Sequence, residues 1–225
     1  MSAAAEQPAR IAVVDYGMGN RRSVEKALAH VGVDAVIARD HGALRAADGL
    51  VLPGVGAFPR AMANIRELGL DELLRERLAA GTPLLGVCLG MQLAFDSTTE
   101  LGGATGLGII AGEVRALDVG ALKLPHIGWN EARFTRADSP LLESLPQRCA
   151  FYHVHSFAPV PADAADVLGT ADYGGPFVTA VQRGDFYGVQ FHPEKSSAAG
   201  LRLLANFARI CVAARAAPEL RPVAG

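Results

Sequence analysis

A single cysteine stands between two glycines in Gly86-Val87-Cys88-Leu89-Gly90. An apolar run over 83–87 leads into it and a helical pattern is expected to follow, which is the G-x-nucleophile-x-G arrangement with Cys in the nucleophile's place. The glycines let the backbone turn tightly enough to expose the side chain at the head of a sheet, and the first N–H groups of a following helix favour a thiolate. The competing reading is a small buried cysteine at a glycine-rich strand end, where free cysteines are usually inert. A nucleophile of this kind needs a base, and the base needs an orienting partner. Both types occur in Gly188-Val189-Gln190-Phe191-His192-Pro193-Glu194-Lys195-Ser196. In an extended segment His192 and Glu194 project to the same side, and Pro193 stiffens the link between them. Glu194 would then hold one ring nitrogen of His192 while the other faces Cys88. His and Glu are also metal ligands, but no H-E-x-x-H or paired-cysteine spacing accompanies them, so no metal site is expected.

Two glycine-rich turns extend the list. Pro53-Gly54-Val55-Gly56 follows a buried run, and two glycines around one residue can aim a peptide N–H at a bound substrate as an oxyanion hole requires. An ordinary strand-to-helix turn uses the same residues. Gly17-Met18-Gly19-Asn20 suggests a dinucleotide site, but Arg22 occupies the place of the third glycine, so that fingerprint fails. No cofactor is expected.

The elements that must carry these residues follow from the apolar pattern. Strands are expected over 11–14, 33–38, 49–52 and 83–87, with helices marked by Val24, Leu28 and Val31, by Phe58, Met62 and Ile65, and by 70–78. Strands alternating with helices argue for a parallel sheet covered on both faces. From about 108 to 191 short strand-like runs (109–117, 126–134, 149–155, 166–171, 177–183, 186–191) are separated by turns, which suggests an antiparallel extension. A last helix carries Leu203, Phe207, Ile210 and Cys211 on one face. The expected organisation is a flexible extension over 1–9, one domain over 10–212 and a frayed tail over 213–225.

Composition narrows the function classes. The chain has 225 residues, 50% apolar and 20% charged, with a mean hydropathy of +0.22, which excludes a disordered or collagen-like chain. Twenty-one basic against twenty-three acidic side chains leave a net charge of -2, so there is no broad electrostatic footprint for nucleic acid. Three scattered cysteines, Cys88, Cys149 and Cys211, form no C-x-x-C and no disulfide framework; Cys149 and Cys211 are expected to be structural. The N-terminus lacks the apolar stretch of a signal peptide, and no membrane span is expected. A reducing cytoplasm is the expected compartment.

Together, Gly86-Val87-Cys88-Leu89-Gly90-Met91-Gln92 and Phe191-His192-Pro193-Glu194-Lys195-Ser196 resemble the class I (triad) glutamine amidotransferases. Asp15–Asn20, Pro53–Phe58, Pro125-His126-Ile127-Gly128-Trp129-Asn130 and Tyr152-His153-Val154-His155-Ser156-Phe157 are similar to one branch of them, the glutaminase subunits of imidazole glycerol phosphate synthase. The resemblance runs from about residue 10 to 212. It implies an α/β, flavodoxin-like three-layer fold with a central mostly parallel sheet and an antiparallel extension in the second half. It implies Cys88, His192 and Glu194 as a catalytic triad, with Leu89 and, after a local rearrangement, Val55 as oxyanion donors. Gly56, Gln92, Glu100, His155, Ser156 and Phe157 would contact glutamine. Asn20, Trp129 and Lys195 would lie near an interface with a (β/α)₈-barrel cyclase that receives the ammonia. Another class I amidotransferase, or an inactive regulatory subunit, are the competing identities.

Overall fold

The structure is a computed structural model that describes residues 7–136 and 138–216. Strands β1 (Arg10–Val14), β2 (Asp34–Ala38), β3 (Gly49–Gly54), β4 (Leu84–Cys88) and β13 (Phe186–Val189) run parallel in the order β2-β1-β3-β4-β13. The same sheet continues antiparallel through β12 (Pro176–Arg183), β11 (Val167–Asp172), β8 (His126–Phe134) and β9 (Arg148–His155), giving nine strands. The parallel core and antiparallel extension expected from the apolar pattern are both present.

The two faces of β1 feed different cores. Ile11 and Val13 pack with Val24 and Leu28 of α1 (Arg21–His30) and with Leu203 and Phe207 of α6 (Ser197–Ala216). Ala12 and Val14 face Leu44 of α2 (His41–Arg45), Met62 of α3 (Phe58–Glu67) and Leu73 of α4 (Leu70–Ala79). Alternate residues of a strand point to opposite faces, so a strand buried on both sides must be apolar throughout. β4 is buried at every position and puts Cys88 at its C-terminal end. Each Leu, Val or Phe so buried contributes about 1.5–3 kcal/mol.

A second sheet in the order β10-β7-β5-β6 covers part of the second core: β10 is Phe157–Pro161, β7 Ile110–Ala116, β5 Phe95–Thr98 and β6 Ala104–Thr105. Of these only β7 is anticipated by the pattern of the sequence. At the chain ends, Ala9 is buried and its carbonyl accepts from Asp34 N, so the chain is held before residue 10. Residues 1–6 of the expected extension and 217–225 of the expected tail lie outside the described residues. Helix α6 runs through Ala216, past residue 213 where fraying was expected. By length and composition α6 could cross a bilayer, yet Leu203, Leu204, Phe207 and Cys211 are buried in the core, the pattern of an amphipathic core helix.

Candidate active site

The turn at Cys88 is tight because three backbones meet there. A Cβ on Gly86 would lie 2.7 Å from Gly90 O, and one on Gly90 would strike Leu52 O. Cys88 itself adopts φ 54, ψ -113, a conformation that costs about 1–3 kcal/mol in a residue with a Cβ. The surrounding packing holds it, and the thiol is presented at the head of the sheet. The helix expected after Cys88 is present but short: α5 spans Leu89–Gln92, and the chain re-enters a strand at Phe95. Only a single helical turn, rather than a long helix dipole, therefore follows the sulfur.

Parallel pairing of β3 with β4 sets Gly54 opposite Cys88, which brings Val55 and Gly56 beside Leu89. Gly56 has φ +112, where an L side chain is strained. Pairing of β4 with β13 sets Val189 opposite Val87, so the chain beyond β13 passes the same end of the sheet. His192 lines the same cavity as Cys88 and interacts with it electrostatically, and its Nδ1 donates to Glu194 Oε1 at 2.9 Å. Nδ1 is thus committed to the carboxylate, leaving Nε2 for the sulfur. Side-chain exposures of 3% for His192 and 1% for Glu194 keep water from competing. Burial opposes the imidazolium, but the hydrogen bonds and charges of Cys88 and Glu194 outweigh it and hold His192 at about 10. Asn20 Nδ2 also donates to Glu194 Oε1, at 3.3 Å.

Ser196 clips this turn to β9: it accepts from Tyr152 N at 3.0 Å and donates to His192 O at 2.6 Å. Gln190 donates from Nε2 to Cys88 Sγ at 3.6 Å and accepts at Oε1 from Gln92 Nε2 at 3.0 Å. Neither Gln190 nor Ser196 was anticipated. The signal for Gln190 was its place two residues before His192, hence on the same side of the strand.

A cavity of about 310 Å³ opens over the sulfur. Val55, Gly56, Cys88, Leu89, Gln92, Glu100, His155, Ser156, Phe157, His192 and Lys195 all line it, with Pro125 and Val154. Of the residues singled out from sequence, Glu194 stands behind His192, Asn20 behind Glu194, and Trp129 outside on an exposed face of β8. Some lining side chains already have partners. Gln92 Nε2 donates to Phe157 O at 2.9 Å, and Glu100 Oε2 accepts from Phe58 N at 2.8 Å, capping the first turn of α3. Both ring nitrogens of His155 are engaged, Nδ1 with Phe157 O and Nε2 with His126 Nδ1, each at 2.9 Å. Cys211 is fully buried in the core, and burial pushes its thiol and that of Cys149 up.

The family model "Glutamine amidotransferase class-I" matches residues 12–211. The chain belongs to the class-I glutamine amidotransferases. Within that family it is 48% identical over 200 residues to the imidazole glycerol phosphate synthase subunit HisH of Moorella thermoacetica, covering 89% of this chain and 94% of that protein. It is also 48% identical to HisH of Aquifex aeolicus over 89% of this chain and 96% of that one. Among solved structures, PurLQS from Thermotoga maritima matches with a TM-score of 0.71 at 18% identity, over 89% of this chain and 97% of that one. The glutaminase domain of Trypanosoma brucei CTPS with bound acivicin matches at 0.61 and 18%, over 96% of this chain and 97% of that one. These structural likenesses support the amidotransferase fold.

Proposed function

We propose that the chain is the glutaminase subunit of an imidazole glycerol phosphate synthase, acting through Cys88, His192 and Glu194. The observation that carries this is the bonded His192–Glu194 pair beside Cys88, with Cys88 and His192 both lining a cavity sized for an amino acid. With the proton already on His192 Nε2, the Cys88 sulfur attacks the side-chain carbonyl carbon of glutamine. The carbonyl π electrons move to oxygen, and the Leu89 and Val55 N–H groups hold that oxyanion. On collapse the C–N bond breaks, His192 returns the proton to the leaving nitrogen, and ammonia departs from a cysteinyl thioester. Water, deprotonated by His192, hydrolyses the thioester to glutamate and restores the thiolate. Removing one oxyanion donor costs about 10²–10³ in rate, so the setting of Val55 on its glycine-flanked strand can switch the site on or off. Glutamine is held by Gly56, Gln92 and Glu100, and by the backbone at His155, Ser156 and Phe157.

The released ammonia goes to a (β/α)₈-barrel cyclase that converts phosphoribulosylformimino-AICAR phosphate to imidazole glycerol phosphate and AICAR. The face offered to it adjoins the cavity mouth. Ile127 and Trp129 on one side of β8 are 59% and 55% exposed, and Lys195 Nζ lies 5.9 Å above the Tyr152 ring that Trp129 packs against. Exposed apolar side chains with a bulky aromatic mark a partner surface. A heterodimer in the cytoplasm suits a chain whose described cysteines are all free. The test is glutamate release with and without the cyclase and its nucleotide ligand. Stable pairing and stimulated hydrolysis are expected; pairing without glutamate release, or release that ignores the cyclase, contradicts the reading.

A further inference from the structure

Three buried histidines lie together on β8 and β9, outside the triad. His126 and His155 are register partners across the two strands, and His153 stacks on His126 with ring centroids 5.2 Å apart. His153 is closed off: Nδ1 donates to Phe151 O at 3.0 Å and Nε2 accepts from Thr179 Oγ1 at 2.8 Å.

The other two have only one consistent proton arrangement. Phe157 O can only accept, so His155 Nδ1 carries its proton, and His155 Nε2 of a neutral ring is a lone pair. His126 Nδ1 must then donate to it, which leaves His126 Nε2 as an acceptor. Asn130 Nδ2 supplies that last donor at 3.3 Å and spends its second N–H on Asp172 O at 2.8 Å. Burial holds both rings neutral: His155 is pushed down to about 4 and His126 is pushed down as well. Phe157 O, where this series ends, also accepts from Gln92 Nε2, which bonds Gln190, which in turn donates to the Cys88 sulfur.

We propose that His126 is a positioning residue for the glutamine pocket. Through its Nδ1–H it fixes the tautomer of His155, and so the Phe157 carbonyl and the Gln92 amide that line the cavity. This rests on reading the cavity as the glutamine site. His126 never reaches the cavity itself, and its contribution is to leave His155 a single orientation. Without the donor His155 is free to protonate at Nε2, which gives up its bond to Phe157 O and loosens Gln92.

His126→Asn keeps an N–H near the position of Nδ1, whereas His126→Leu fills the space with no donor. In the complex with the cyclase and its nucleotide ligand, His126→Leu is expected to raise KM for glutamine about tenfold with kcat changed less than about threefold. His126→Asn is expected to recover most of that rise. Equal KM in the two variants, or Asn worse than Leu as mere packing would give, overturns the proposal. If His126→Leu does not fold, Asn130→Ala removes the preceding donor and should raise KM about threefold; an unchanged KM there also overturns it. Nitrogen-15 NMR of the wild-type protein provides a readout independent of activity. His126 and His155 should both be Nδ1–H tautomers, and an Nε2–H signal for His155 contradicts the proposal. A protein with the expected tautomers that neither binds nor hydrolyses glutamine overturns the assignment of the pocket and not the hydrogen-bonded series.

Discussion

Asn20 shares one carboxylate oxygen of Glu194 with His192. Its amide therefore helps set the angle at which Glu194 meets the imidazole, although it touches neither substrate nor sulfur. Asn20→Ala is expected to lower kcat for glutamine hydrolysis about three- to tenfold with little change in KM, the loss of one hydrogen bond to a charged group. A purely partner-facing role would change affinity for the cyclase and leave kcat at saturating partner intact. The candidates Cys88, His192 and Glu194 were legible because an elbow, a histidine and a carboxylate two residues on each have a chemical reason for their spacing. The roles of Gln190 and His126 were not, since a buried hydrogen bond between distant strands depends on register that no local pattern encodes. The three cysteines separate by environment: Cys88 lines the cavity beside His192, Cys149 is half-buried and Cys211 is buried in the core.

At the scale of elements, the elbow is the most constrained feature. Gly90→Ala puts a methyl group into Leu52 O, which the backbone must move to admit. A loss of about 3 kcal/mol or more in chemical denaturation is expected, and a variant as stable as wild type would show that the turn has slack. Glu100 offers a milder case. Because it caps Phe58 N, Glu100→Ala should cost about 1 kcal/mol of stability as well as weakening glutamine binding. The parallel strands were legible because burial on two faces leaves a continuous apolar run. β10 was not: Pro159 and Pro161 argue against a strand, and they are accommodated because β10 is an edge strand that, among the described residues, pairs only with β7. The helix after Cys88 was legible as a start but not in extent: α5 ends at Gln92 and β5 begins at Phe95, with Leu107 N donating to Leu93 O.

At the scale of the whole molecule, the buried histidines make stability depend on pH. His153 and His155 are depressed, chiefly by burial, to about 3 and 4. Between the unfolded value near 6.5 and those values the unfolded chain binds protons that the folded chain refuses. Stability therefore falls as pH drops from about 6.5 toward 4, by on the order of a few kcal/mol. His192 has the opposite sign: its contribution is complete below about 6.5 and lost as pH climbs toward its folded value of about 10. Urea denaturation across pH should reproduce the acid limb, and His153→Phe should flatten it; an unchanged acid slope would mean that other groups set it. The central claim, that Cys88 is the nucleophile of glutamine hydrolysis, is tested most directly by Cys88→Ala in the complex with the cyclase. Glutamate release should fall by about 10⁴-fold or more, while imidazole glycerol phosphate formation from added ammonia persists. Glutamate release at the wild-type rate would contradict it.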